Sequence, residues 1–188
     1  MKTPLTFLFV FTFFCVFSQK FETSTNYTFN NIEEEITQKY LSVPDSVREP
    51  LVIHVREKGS GKIVESIEIT EAETFCGAWV EEQEISGYKN VKKALRISYD
   101  FCGCCSIVYE TTYLVKDDGS LIPFPEVNYQ ACDWPEEKPA FQFKDENNPV
   151  VQEIKFVTEY RNDQGDLYKS EMIDTYTWNG KFIVKKKD

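Results

Sequence analysis

Between Leu95 and Val115 apolar and polar side chains alternate with a period of two, and this alternation restricts the fold more tightly than any other feature of the chain. Leu95, Ile97, Tyr99 and Phe101 take one phase, and Arg96, Ser98 and Asp100 take the other. The apolar phase resumes beyond a cluster of cysteines with Ile107, Tyr109 and Val115. An extended strand sends successive side chains to opposite faces, whereas a helix repeats every 3.6 residues, so the pattern predicts strand. Read without interruption, it makes the cysteine cluster part of the strand.

Shorter stretches repeat the signal. Leu51, Ile53 and Val55 share a phase, as do Ile67 and Ile69 with Ile63 before them, and Phe75 to Gln83 reads as another strand. Thr23 to Phe29 offers a first strand. Later come Ile154, Phe156 and Tyr160, then Met172, Asp174, Tyr176 and Trp178, with Phe182 to Val184 returning. Turn residues separate them at Lys58–Gly61, Asp117–Ser120, Asp163–Asp166 and Asn179-Gly180. Asn-Gly between alternating runs is a strong hairpin signal. One short helix is expected near the amino terminus, capped by Asn30 or Asn31 and running through Glu33, Glu34 and Glu35 to Tyr40. The expected fold is therefore mainly β: a single antiparallel β-sandwich or open barrel of about seven to ten strands, preceded by that helix.

Residues 123–149 break the pattern. They hold five of the eight prolines and the acids Glu136, Glu137, Asp145 and Glu146. Proline removes a ladder donor, so the segment reads as a long loop or loose edge. Phe124, Trp134, Phe141 and Phe143 are positioned to tack it onto the sheet.

At the amino terminus Lys2 precedes an apolar run from Leu5 to Phe17 and a small residue at Ser18. That is the layout of a cleavable secretory signal over residues 1–18, with Gln19 opening the mature domain of residues 19–188. The run is shorter than the roughly 20 residues that a membrane-spanning helix requires. Removing it takes one lysine and no acid, so the formal charge moves from −10 to −11. Such an acidic chain is a poor partner for nucleic acid or an anionic membrane.

Six cysteines are present, and Cys15 leaves with the signal. Cys76, Cys102, Cys104, Cys105 and Cys132 remain, and an exported compartment oxidises thiols, so all five are disulfide candidates. Five is odd, so one has no partner within the chain. If the strand runs on through the cluster, Cys102 and Cys104 share its polar face about 6.5 Å apart. That is too far for a mutual disulfide, whose Cβ atoms lie about 3.8 Å apart. Cys76 and Cys132 should then both bond into the 102–105 cluster, leaving Cys105 as the thiol that can stay buried and free. Gly103 is the weak point of that phase, because a strand glycine often marks a bulge. A copper or zinc ion held by Cys102 and Cys104 is the alternative use of the same residues.

Other constellations are less informative. His54 is the sole histidine, and no nucleophile elbow accompanies it. Glu81, Glu82 and Glu84, and then Asp133, Glu136 and Glu137, supply carboxylate pairs that a glycosidase could use at the right separation. Asn162 to Asp166 echoes a calcium loop but lacks its closing glutamate. These readings converge on an exported, soluble, disulfide-stapled β-rich binding or structural protein. It has no catalytic residues and no cofactor, and its partner is an unidentified ligand or protein. The alternatives are a soft-metal protein using Cys102 and Cys104, and a carboxylate-dependent hydrolase of polysaccharide.

Overall fold

The computed structural model describes residues 20–30, 50–69, 74–132, 136–143 and 153–187. The expected signal segment 1–18 and the expected helix over Asn31–Tyr40 lie outside these residues, as do Asp133 and Trp134. Within them the chain is mainly β, in antiparallel sheets with a single parallel exception.

The alternation that dominates the sequence builds the central sheet. It comprises β5 (Phe75–Glu84), β6 (Val91–Phe101) and β7 (Ser106–Lys116), each antiparallel to the next. Two short strands flank β7 on its far side, β8 (Leu121–Pro123) beside its end and β9 (Val127–Ala131) beside its start. β1 (Lys20–Glu22) closes the other edge, parallel to β5.

The expectation of one continuous strand through the cysteines is corrected. The chain reverses at residues 102–105, and β6 and β7 are the arms of a hairpin. The reason the period missed this is one of parity. Phe101 pairs with Ile107, Tyr99 with Tyr109 and Leu95 with Tyr113, odd with odd from Lys93 to Phe101. Directly opposed residues point to the same face, so the apolar phase passes through the reversal unchanged.

A three-stranded sheet covers the odd-numbered face of β6. It is made of β2 (Tyr27–Phe29), β3 (Leu51–Glu57) and β4 (Ile63–Ile69), in that order. Ile53, Val55 and Ile69 from it pack with Leu95, Ile97, Tyr113 and Val115 in one continuous core. Burying such side chains contributes about 1.5–3 kcal/mol each.

A four-stranded sheet covers the opposite face. Its order is β10 (Glu136–Phe143), β11 (Glu153–Arg161), β12 (Leu167–Trp178) and β13 (Ile183–Lys185). A second core joins it to the central sheet through Leu114, Phe124, Phe141, Ile154, Tyr176 and Trp178. The indole N–H of Trp178 donates to the Lys89 carbonyl at 2.8 Å, and the Tyr88 hydroxyl donates to the Glu153 carbonyl at 2.9 Å.

The loop expected over 123–149 is corrected in part, since it contributes the whole of β9 and β10. Pro139 is accommodated because β10 is an edge strand, paired within its sheet only with β11, where a missing donor breaks no second ladder. These additions and the three-residue strands bring the number among the described residues to thirteen, above the seven to ten expected. The turn at Asn162–Asp166 is a plain hairpin turn: the Asn162 carboxamide oxygen accepts the N–H groups of Gln164 and Asp166, and Gly165 takes a φ of 83°.

Candidate functional site: a polar cleft between two sheets

The even-numbered face of β6 would be solvated in a two-layer sandwich, and here it is covered. Its polar residues therefore meet a second sheet and have to satisfy one another. Glu81, Arg96 and Thr112 lie in one row across β5, β6 and β7, with Ser98 and Glu110 in the next. Lys138, Gln142, Glu159 and Arg161 face them from β10 and β11.

Glu110 is the centre of this arrangement, with a wholly buried side chain. One carboxylate oxygen lies 3.1 Å from Arg96 Nε, and the other lies 3.3 Å from Lys138 Nζ and accepts from the Ser98 hydroxyl at 3.3 Å. Arg96 also holds Glu81 through a terminal nitrogen at 2.8 Å. On the facing sheet Glu159 accepts from Gln142 Nε2 at 2.9 Å and from Arg161 at 2.8 Å. Burial opposes ionisation of Glu159, but the Gln142 and Arg161 hydrogen bonds outweigh it and hold its carboxyl below the usual range.

Two chambers that share part of their lining open beside this network. The larger, about 540 Å³, lies between residues 23–25 and the β5–β7 face and is lined by Glu82, Gln83, Arg96, Thr112 and Phe143. The smaller, about 350 Å³, shares Gln83, Arg96 and Phe143 and continues to Lys138, Gln142 and Arg161. Asn26 closes one rim: its backbone N–H and carboxamide donate to the two oxygens of Glu82 at 2.9 and 2.8 Å. Lys93 pairs with the same carboxylate. Although burial works against it, these bonds, together with one from Ser24, bring the Glu82 carboxyl down to about 2.

Three buried polar atoms in the cleft have no hydrogen-bond partner among the described residues: Arg96 Nε, Glu110 Oε1 and the Thr112 hydroxyl. The first two are close enough for charge attraction but are not aligned for a hydrogen bond. Thr112 has neither. A buried hydroxyl left unpaired costs free energy that a bound ligand can recover.

The sequence-derived candidates fall elsewhere. Cys76 bonds to Cys102 and Cys105 bonds to Cys132, so both distant cysteines join the 102–105 segment. The leftover thiol is Cys104, exposed at the hairpin tip, and not Cys105. The exchange follows from the hairpin: at a reversal the strand phase no longer dictates where each side chain points. With Cys102 in a disulfide, Cys102 and Cys104 offer a single thiol between them, and among the described residues no three potential ligands cluster as a metal site. His54 Nδ1 lies 2.9 Å from the hydroxyl of its cross-strand neighbour Ser66, with the tautomer unassigned. The described residues give this pair no hydrogen bond to an orienting carboxylate.

Sequence reasoning missed Glu110, Thr112 and Lys138. A signal was present in Ile107-Val108-Tyr109 and Tyr113-Leu114-Val115, which are apolar in both phases, as in a strand covered on both faces. The disulfides are the chemistry of an oxidising, non-cytoplasmic compartment, and no described helix is long and apolar enough to cross a membrane. Comparison with protein-family models, with curated proteins and with solved structures finds no match to this chain.

Proposed function

We propose that the chain is an exported, non-enzymatic binding protein that holds a neutral, hydroxyl-rich ligand of the saccharide class in the Arg96 cleft. The observation that carries the reading is the neutrality of a densely polar cavity. Arg96, Lys138 and Arg161 are matched by Glu81, Glu110 and Glu159, and Lys93 matches Glu82. No net charge remains to select an ion. What remains is hydrogen-bonding capacity at Thr112, Gln83 and Arg96, with the Phe143 side chain as an apolar wall. Ligand sites of this kind combine a few placed polar groups with an aromatic surface. The secretory signal of residues 1–18 and the paired cysteines support export. A glycosidase needs one carboxyl that stays protonated as the acid. Hydrogen bonds hold the carboxyls of Glu82 and Glu159 low, so neither of these two suits the acid's role.

Calorimetric titration with a panel of neutral and acidic oligosaccharides tests the proposal. A neutral sugar is expected to bind, and Thr112→Val to weaken it roughly fivefold, the value of one hydrogen bond near 1 kcal/mol. Binding only to acidic sugars, or equal affinity for wild type and Thr112→Val, overturns it.

A further inference from the structure

β12 leaves the body of the protein at its first half. Every residue from Leu167 to Ile173 is exposed. β11 pairs with one edge of this stretch. On the other edge β13 reaches only Tyr176, Thr177 and Trp178, with one further bond from Lys186 N–H to the Thr175 carbonyl. Among the described residues no strand pairs with the free edge over 167–174. Leu167, Tyr168, Met172 and Ile173 are exposed to 46, 57, 56 and 48%. An open row of backbone donors and acceptors flanked by apolar side chains is a template for another strand.

We propose that this edge pairs antiparallel with the same edge of a second copy of the chain, with the two-fold axis through Ser170. The order Leu-Tyr-Lys-Ser-Glu-Met-Ile is complementary to its own reverse about that serine. Lys169 falls opposite the partner's Glu171 and Glu171 opposite the partner's Lys169. Tyr168 meets the partner's Met172, and Leu167 meets the partner's Ile173. A two-fold interface requires this reciprocity, and opposite charges and apolar pairs facing across strands stabilise antiparallel pairing. Neighbouring registers lose it. Centring on Glu171 sets two carboxylates against each other and puts Lys169 opposite Ile173. Centring between Ser170 and Glu171 puts Lys169 opposite Met172 and Leu167 opposite Asp174.

Two bulges frame the segment, since Tyr168 and Ile173 are the extra residues of β12 against β11, leaving Lys169–Met172 regular between them. Lysine on an edge normally guards against pairing. Here Lys169 bonds Glu171 of its own chain at 2.5 Å, and in the dimer the two such bonds, one per chain, are exchanged for two equivalent ones across the axis.

Sedimentation equilibrium of the mature chain tests this, in a Cys104→Ser background that excludes disulfide-linked copies. The mass is expected to double with rising concentration. Lys169→Glu and Glu171→Lys, both on exposed positions, should each weaken association by at least roughly tenfold through like-charge contacts. Mixed in equal amounts, the two variants should form a heterodimer, because each supplies the charge that the other lacks. A wild type that stays monomeric to about 1 mM, single variants that associate like wild type, or a mixture that fails to recover association each overturns the proposal.

Discussion

The Lys138–Glu110 contact ties the central sheet to the β10–β13 sheet by charge, and replacing Glu110 with glutamine shows what that tie is worth. Glu110 is wholly buried and answers two cations, at 3.1 Å for Arg96 and 3.3 Å for Lys138. Removing one partner of a buried pair costs about 3–5 kcal/mol, because the other charge is left without compensation. Two features reduce that figure here. Arg96 keeps Glu81 at 2.8 Å, and the Lys138 side chain is 18% exposed and can turn toward water. The expected loss is therefore about 2–3 kcal/mol. With a urea slope of about 2 kcal/mol per molar, the unfolding midpoint should fall by about 1–1.5 M. Lys138→Met should cost less, about 1–2 kcal/mol, since Glu110 retains Arg96. Because each single change removes the same interaction, the double variant should lose about 1 kcal/mol less than their sum. A Glu110→Gln midpoint within about 0.3 M of wild type, or additivity within about 0.5 kcal/mol, would refute the reasoning.

Two further outcomes are expected. Alkylation of the unreduced protein should mark Cys104 alone, and peptide mapping should join Cys76 to Cys102 and Cys105 to Cys132; label on any other described cysteine contradicts this. Glu82 has its carboxyl depressed in the fold, so its contribution is complete above about 4.5 and disappears as pH falls toward about 2. Discounted for partial solvation, the effect is about 1–2 kcal/mol. Glu82→Gln should flatten the acid limb of stability between those values, and an unchanged limb counts against the Lys93 and Asn26 bonds as its cause.

Strand existence was legible because it depends on local alternation. β3, β6 and β7 each carry a run whose phase survives in the structure, and β5 was legible as a strand although a bulge between Phe75 and Gly77 shifts its phase. Faces were less legible. Arg96 and Ser98 form only the polar phase of the alternation in the sequence, and the arrival of β10 and β11 from residues distant in sequence makes them interior. The hairpin at 102–105 was hidden by parity, and β10 was hidden by Pro139, whose cost depends on edge position. Edge position is a property of the assembled sheet. Glu110 could not be singled out for the same reason: its meaning lies in Arg96 on a neighbouring strand and in Lys138 on another sheet.

The two disulfides both leave the same four-residue reversal and go to opposite sides, Cys102 to the start of β5 and Cys105 to the end of β9. Their sequence separations are 26 and 27 residues, each the size of loop whose closure is worth about 3.5 kcal/mol of chain entropy. Four strand ends are thereby fixed in their native order at one margin of the sheet, whatever happens to the hydrogen bonds. An oxidised chain that melts does not become a free coil but a comb, held at the spine with its teeth loose. Refolding of β5, β6, β7 and β9 from that state needs no search for strand order, because each starts beside its native neighbour and zips away from the cysteines. The farther apart in sequence its paired residues lie, the more slowly a β protein folds. The two bonds bring strand ends 26 and 27 residues apart into contact before folding begins, so the reduced chain should refold more slowly than its stability alone would imply.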